Sequence, residues 1–223
     1  MPGIHVYKNV LKDCKKIIKC FEDNEDSLLS DWEQWETQGY KKGFSINEKN
    51  LFLKKNDSKK IKKQKKYINK INKCLEIVFN DYVSFYLNEN VPWPENVNIN
   101  KLQILNDYYM GFYKYDVKHM LKDDFKKIAM RYHVDDITGK GGLTFTYYLN
   151  DNYDGGEICF YNKNDSKIYQ YKPSPGDITV FPSGKPFYHG VNKISKNNRY
   201  HLRNFIYCVD NDKNILDKYK DNK

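Results

Sequence analysis

From about residue 101 the chain is cut into short runs rich in Tyr, Phe, Ile, Val and Thr, separated by Gly, Pro, Asn and Asp. That punctuation restricts the second half to many short strands joined by tight turns. Strands are expected near 102–115, 128–135, 142–150, 156–161, 167–172, 177–182, 187–192 and 199–209. Short antiparallel strands of this kind bury one face each, and two stacked sheets in a jelly roll are the natural solution. The first half follows a different period. Val10, Leu11, Cys14, Ile17, Ile18 and Phe21 form one helical stripe over about 7–22. Ile68, Ile71, Leu75, Val78, Tyr82 and Tyr86 form a second over about 59–88. Val91-Pro-Trp-Pro94 closes that part, since proline disfavours helix on both sides of itself. The polar stretch 24–56, with Trp32, Trp35 and Phe44 as isolated anchors, takes no assignment. The fold class is therefore mainly β with N-terminal helices around a double-sheet, cupin-like jelly-roll core. One domain, 1–223, is expected, with helical support over about 1–100 and the core over about 101–210.

Within the β half, His133 and Asp135 are followed by His189 and Arg199. Side chains two apart on a strand share a face, so His133 and Asp135 are expected to project together. A distant strand would bring His189. Two imidazoles and a carboxylate make a three-point face for Fe(II) that leaves coordination positions open. Chance is a poor explanation: with five histidines in 223 residues, a preset position carries one about 2% of the time. Arginine is also scarce. Only Arg131, Arg199 and Arg203 occur among 38 basic residues, and all three lie in these motif strands. A lysine-rich chain reserves arginine for places where a planar, two-pronged donor matters. Period two puts Arg199, His201 and Arg203 on one face, and Arg131 on the face of His133.

The remaining composition excludes more than it assigns. No run of 18 apolar residues suits a membrane span, and Met1-Pro-Gly-Ile-His-Val-Tyr7 lacks a signal-peptide core. Cys14, Cys20, Cys74, Cys159 and Cys208 are scattered and odd in number. They read as small buried hydrophobes in a reducing, cytoplasmic setting rather than a disulfide or zinc framework. The formal net charge is +9, much of it from the lysines between Lys54 and Lys66. Arginine and interleaved aromatics are absent there, so a solvated surface is the expectation and nucleic acid a weak one. His5 and His119 read as ordinary surface or core histidines.

Tyr147-Tyr-Leu-Asn-Asp-Asn-Tyr-Asp-Gly-Gly-Glu157 resembles the "YLND…GGE" hairpin of the prolyl 4-hydroxylase-like branch of Fe(II)/2-oxoglutarate-dependent oxygenases. Pro173-Ser-Pro-Gly-Asp-Ile-Thr-Val-Phe-Pro182 resembles that branch's "P..GD…FP" turn and strand. His189 and Arg199 then fall where its distal iron ligand and co-substrate cation belong. The likeness covers about residues 101–209. It implies a double-stranded β-helix with His133, Asp135 and His189 on Fe(II), and 2-oxoglutarate and O2 as co-substrates. Ascorbate is the implied reductant. Arg199 would meet the far carboxylate of 2-oxoglutarate, aided by Thr144 and by Tyr115 or Tyr113. Gly155 and Gly156 serve the hairpin turn. Between those tyrosines and His133 the chain carries extra residues, 117–130, as either a lid or a surface loop. The implied substrate is a peptide or protein, hydroxylated at proline. A lysyl residue, a free amino acid or a nucleic-acid base are alternatives, and so is a non-catalytic cupin-like binding module. Oligomeric state is left open.

Overall fold

The computed structural model describes residues 3–23, 30–35, 41–47, 59–86, 102–103, 109–117, 128–136, 142–162 and 166–208. The elements in chain order are β1 (His5–Tyr7), α1 (Cys14–Glu22), β2 (Ser30–Trp35), β3 (Lys41–Asn47), α2 (Lys59–Tyr86), β4 (Leu102–Gln103), β5 (Tyr109–Tyr115) and β6 (Ile128–His133). There follow β7 (Gly142–Tyr148), β8 (Asp154–Gly155), β9 (Ile158–Tyr161), β10 (Lys167–Tyr171), β11 (Ile178–Pro182), β12 (Tyr188–Asn192), β13 (Ile194–Lys196) and β14 (Arg199–Cys208). A large antiparallel sheet runs β1-β11-β7-β14-β5-β3-β2, with β4 also on β14. A smaller sheet runs β10-β9-β12-β6, and β13 pairs with β8. The protein is mostly β, with the sheets of a jelly-roll core.

The large sheet has two differently composed faces, as period two requires. Phe112, Leu143, Phe145, Tyr147, Ile178, Val180, Leu202 and Ile206 point to one side. Against them pack Ile17, Cys20 and Phe21 of α1 and Ile68, Ile71, Leu75, Val78 and Tyr82 of α2. Alternating steps of three and four residues put the α2 set on one stripe, which is buried almost completely. Asp13 ties the helices together by accepting from Lys16 of α1 at 3.1 Å and Lys70 of α2 at 2.5 Å. The Lys70 hydrogen bond first, then Lys16, pulls the Asp13 carboxyl down to about 2. No described helix is long and apolar enough to cross a membrane.

Three expectations change at the N-terminal side. The first stripe is helical only from Cys14. Before it, His5–Tyr7 is a strand on β11, and the N–H groups of Val10 and Leu11 both donate to the Gly176 carbonyl. Those tertiary bonds satisfy the backbone that a longer helix would have satisfied internally, so apolar spacing over-extends the helix. The unassigned 24–56 stretch contains β2 and β3, a hairpin whose inner strand extends the large sheet beside β5. The expected strand 102–115 appears as β4 and β5, with 104–108 outside the described residues. Val91–Pro94, His119, the first part of the lysine run (54–58) and most of the 117–130 insertion (118–127) also lie outside them.

The Pro173–Asp177 turn is held by one carboxylate. Asp177 accepts from the N–H groups of Asn9 and Ser174, each at 2.9 Å, from the Tyr171 hydroxyl and from Lys8. Burial pushes its pKa up, but the Tyr171 hydroxyl, both N–H groups and the Lys8 charge outweigh this and hold it below the usual carboxylate range. Its stabilisation is therefore present above the unfolded carboxylate value of about 4 and fades as pH falls through the lower folded value. Asp177→Asn is expected to cost about 1.5–3 kcal/mol at pH 7, with the gap to wild type closing in acid. Urea denaturation at the two pH values checks both the size and the sign.

Candidate metal centre and anion pocket

Antiparallel pairing of β6 and β12 sets His133 directly opposite His189, with ring centroids 4.5 Å apart. Asp135 reaches the same point by a different route from the one its spacing suggests. The strand ends at His133, and Asp135 sits in a bend just beyond it. The Asp136 N–H donates to the Ser183 carbonyl at 3.0 Å and anchors that bend. The Asp135 carboxylate lies 3.4 Å from Nε2 of His133 through Oδ1 and 3.4 Å from Nε2 of His189 through Oδ2. One donor atom from each of the three residues falls within 4.8 Å of the others. Bonds of about 2.1 Å to a divalent ion separate ligand atoms by roughly 3–3.4 Å, so the set fits such an ion with little movement.

The surroundings favour ligation. Nδ1 of His189 faces the Phe187 carbonyl at 3.2 Å. A carbonyl only accepts, so Nδ1 carries a proton, and Nε2 is the ring atom turned toward Asp135 and free to ligate an ion once its own proton is lost. Phe181 and Phe160 flank the ring at 4.7 and 5.9 Å. Thr144 donates to Oδ2 of Asp135 at 2.8 Å, and Arg203 donates to Oδ1 at 3.2 Å. Burial would raise the Asp135 pKa. The His189 and Arg203 charges and the histidine hydrogen bonds hold it well below the carboxylate range. It is anionic, as a metal ligand must be.

Farther along β14 the same face carries Arg199, 1% exposed. Its guanidinium lies over the rings of Tyr115 at 5.2 Å and Tyr148 at 5.3 Å, and one nitrogen donates to Nδ1 of His201 at 3.2 Å. No carboxylate pairs with it among the described residues. Its Nε and the hydroxyls of Tyr148, Tyr153 and Thr179 are all buried there without a hydrogen bond of good geometry, Tyr153 lying loosely against Arg199 and Tyr148 against Thr179. Burial lifts the Tyr148 and Tyr153 pKa values, against the pull of the Arg199 charge, so both are neutral donors. A buried cation without a counter-charge, beside hydroxyls that lack well-formed hydrogen bonds, suits an anion. Gly156 makes this possible. Its φ is +70°, and a Cβ there would lie 2.7 Å from the Tyr153 ring and 3.1 Å from Cδ of Arg199. The Gly155-Gly156 pair thus serves a turn and lets the Arg199 stem pass close to the backbone.

The helpers expected beside Arg199 are distributed differently. Thr144 pairs with Phe205 on β14, six positions beyond Arg199. At roughly 3.3 Å per residue that is about 20 Å away, and its hydroxyl serves Asp135. Tyr115 lies at Arg199, but through its ring; its hydroxyl points to Sδ of Met130 at 3.3 Å. Tyr113 receives a hydrogen bond from Arg203 at 3.2 Å. Tyr148, Tyr153 and Thr179 supply the nearby hydroxyls instead. Period two was the usable signal for Tyr148, since it shares a β7 face with Thr144 and Thr146. Tyr153 lies past the strand and Thr179 on β11, so only the assembled sheet reveals them. Arg131 lies in β6 with its side chain outside the described residues, and Asp136 contributes its backbone N–H. Of the five cysteines, Cys14, Cys20 and Cys159 are buried free thiols and Cys74 a half-buried one. His5 packs against Tyr7 and Phe85.

A jelly-roll core that carries a His-Asp-His cluster and a buried arginine with no carboxylate partner among the described residues has the parts of one enzyme class. Residues 118–207 match the model of the 2OG-Fe(II) oxygenase superfamily. This segment is thus similar to 2OG-Fe(II) oxygenase domains, and the fold is prolyl hydroxylase-like. A prolyl-4-hydroxylase from Pseudomonas putida superposes with a TM-score of 0.58 at 14% identity, covering 94% of each chain. A prolyl hydroxylase from Trichoplax adhaerens, solved with a peptide fragment of the hypoxia inducible factor oxygen degradation domain, gives 0.61 at 15% identity. That match covers 93% of this chain and 84% of the other. Prolyl 4-hydroxylases from Phytophthora capsici give 0.56 at 14% identity, covering 93% and 59%. At such identities these likenesses establish the fold. No curated protein matches the sequence.

Proposed function

We propose that this oxygenase hydroxylates a C–H bond of a peptidyl proline, with Fe(II) on His133, Asp135 and His189 and 2-oxoglutarate between that ion and Arg199. The single observation that carries the co-substrate assignment is the Arg199 guanidinium, buried with no carboxylate among the described residues to pair it. A dicarboxylate with one end on a metal and the other at Arg199 supplies the missing charge. When bound, the ferrous ion supplies O2 activation coupled to decarboxylation of the co-substrate. The net conversion is 2-oxoglutarate, O2 and substrate C–H to succinate, CO2 and C–OH. The protein's own part is geometric. His189 presents Nε2 because Phe187 fixes its tautomer, and Thr144 and Arg203 orient Asp135. Tyr148, Tyr153 and Thr179 donate to the far carboxylate, and Phe160 and Phe181 keep water from the His189 side. The proline reading is supported by the resemblance of the 147–157 and 173–182 motifs and by the fold neighbours. That one neighbour was solved with a peptide favours a peptide substrate.

The test is incubation with Fe(II), ascorbate and 2-oxoglutarate over a peptide library. Succinate is measured, and peptides are read for a mass gain of one oxygen atom. Oxidation at proline is the expected result. Succinate stimulated instead by lysyl peptides, free amino acids or methylated oligonucleotides would move the activity to that class. No succinate with any of them, and no metal retained, would leave a binding module.

A further inference from the structure

Arg203 is a half-buried arginine that the chemistry above uses only through Asp135, and its surroundings are built in detail. Its NH1 donates to Oδ1 of Asp135 at 3.2 Å, and its NH2 donates to the Tyr113 hydroxyl at 3.2 Å. The guanidinium lies 5.0 Å over the Tyr113 ring and 4.7 Å over that of Phe205. Tyr113 in turn stacks on His201 at 5.0 Å, and His201 on Tyr115 at 5.4 Å. Cross-strand register between β14 and β5 explains the ladder: Arg199 faces Tyr115, His201 faces Tyr113 and Arg203 faces Gly111. Gly111 leaves a gap that the Tyr113 ring fills. A Cβ at 111 would lie 2.3 Å from Cε2 and the hydroxyl of Tyr113. Asp135 is thereby gripped from both edges, by Thr144 on Oδ2 and by Arg203 on Oδ1.

We propose that Arg203, seated by Tyr113 over Gly111, is a positioning residue that fixes the carboxylate plane of Asp135 for metal binding. The proposal rests on the metal-centre reading above. Two forces oppose each other at this contact. As a cation close to the site, Arg203 repels a divalent ion, so by charge alone its removal would tighten metal binding. As a fork that holds a ligand in place, its removal loosens the site; loss of comparable outer contacts costs roughly 10- to 100-fold in metal affinity. A charge role would be preserved by lysine. A role that needs two donors in a plane, one on Asp135 and one on Tyr113, would not.

Mn(II) binding, followed by the electron paramagnetic resonance of the free ion, separates these cases. The variants are Arg203→Met, Arg203→Lys, Tyr113→Phe and Gly111→Ala in the full chain. Arg203→Met and Arg203→Lys are both expected to weaken Mn(II) about 10- to 100-fold. Tyr113→Phe and Gly111→Ala, which leave every Asp135 contact atom in the sequence, are expected to weaken it in the same direction by less. The Co(II)-loaded Arg203→Lys protein is expected to change its visible absorption spectrum, which a loss of stability alone would not cause. Tighter or unchanged Mn(II) binding in Arg203→Met, or wild-type binding and spectrum in Arg203→Lys, overturns the proposal. Should Arg203→Met fail to fold, unchanged affinity in Tyr113→Phe overturns it equally. A wild-type chain that binds no Mn(II) overturns the metal-centre reading itself, and that result is distinct from all of these.

Discussion

His133→Ala is expected to lower Mn(II) or Fe(II) affinity by more than about 100-fold while the chain stays folded. Loss of a direct ligand exceeds the roughly 10- to 100-fold cost of losing an outer-shell contact. The His133 side chain is 23% exposed, so its truncation leaves a small defect in packing. Asp135→Ala should also abolish metal binding but should destabilise the protein as well. It strips the carboxylate from Arg203, whose side chain is 18% exposed and keeps Tyr113, so the loss should fall below that of a fully buried unpaired charge, about 3–5 kcal/mol. The double variant Asp135→Ala/Arg203→Met is therefore expected to recover much of that stability and none of the metal binding. Metal titration and urea denaturation of the three proteins check this pattern. Unaltered metal occupancy in both single variants would reject the ligand assignment.

Arg199→Met carries the second large effect, with opposite signs for two quantities. Truncating one partner of a buried charge pair costs about 2–5 kcal/mol, so affinity for 2-oxoglutarate in the Mn(II)-loaded protein should fall between about 30- and about 4000-fold. Mn(II) affinity itself should hold, because Arg199 touches none of the three ligands. Without co-substrate the variant is expected to unfold at higher urea than wild type, since a buried guanidinium with an unsatisfied Nε is removed. With co-substrate the order should reverse, because only wild type gains the stabilisation of binding. Co-substrate dependence equal to wild type would show that another cation does this work.

These two variants probe the residues that sequence reading singled out. Rare residue types carried the signal: five histidines and three arginines in 223 residues. The same reading erred where local pattern competes with tertiary partners. His133 and Asp135 looked like neighbours on one strand face, whereas a bend held by Ser183 delivers Asp135. The stripe beginning at Val10 looked helical, whereas Gly176 takes its first N–H groups. Trp32, Trp35 and Phe44 gave no period to read, and they lie in the β2–β3 hairpin.

By itself the sequence determined the chemistry that the site can hold. A carboxylate, two imidazoles and a guanidinium keep their donor character in any fold, and their order and spacing match those of a known family. The helical and strand periods likewise determined which faces are apolar, because burial follows side-chain alternation. The tertiary structure decided which hydroxyl meets which charge. Thr144 lies about 20 Å along the sheet from Arg199 because β7 pairs with β14 in one register. The same register brings Tyr148 to Arg199 in its place. Arg203 meets Asp135 although they are far apart in sequence, through strands in different sheets. Such contacts depend on non-local pairing and shear, which no window of sequence encodes.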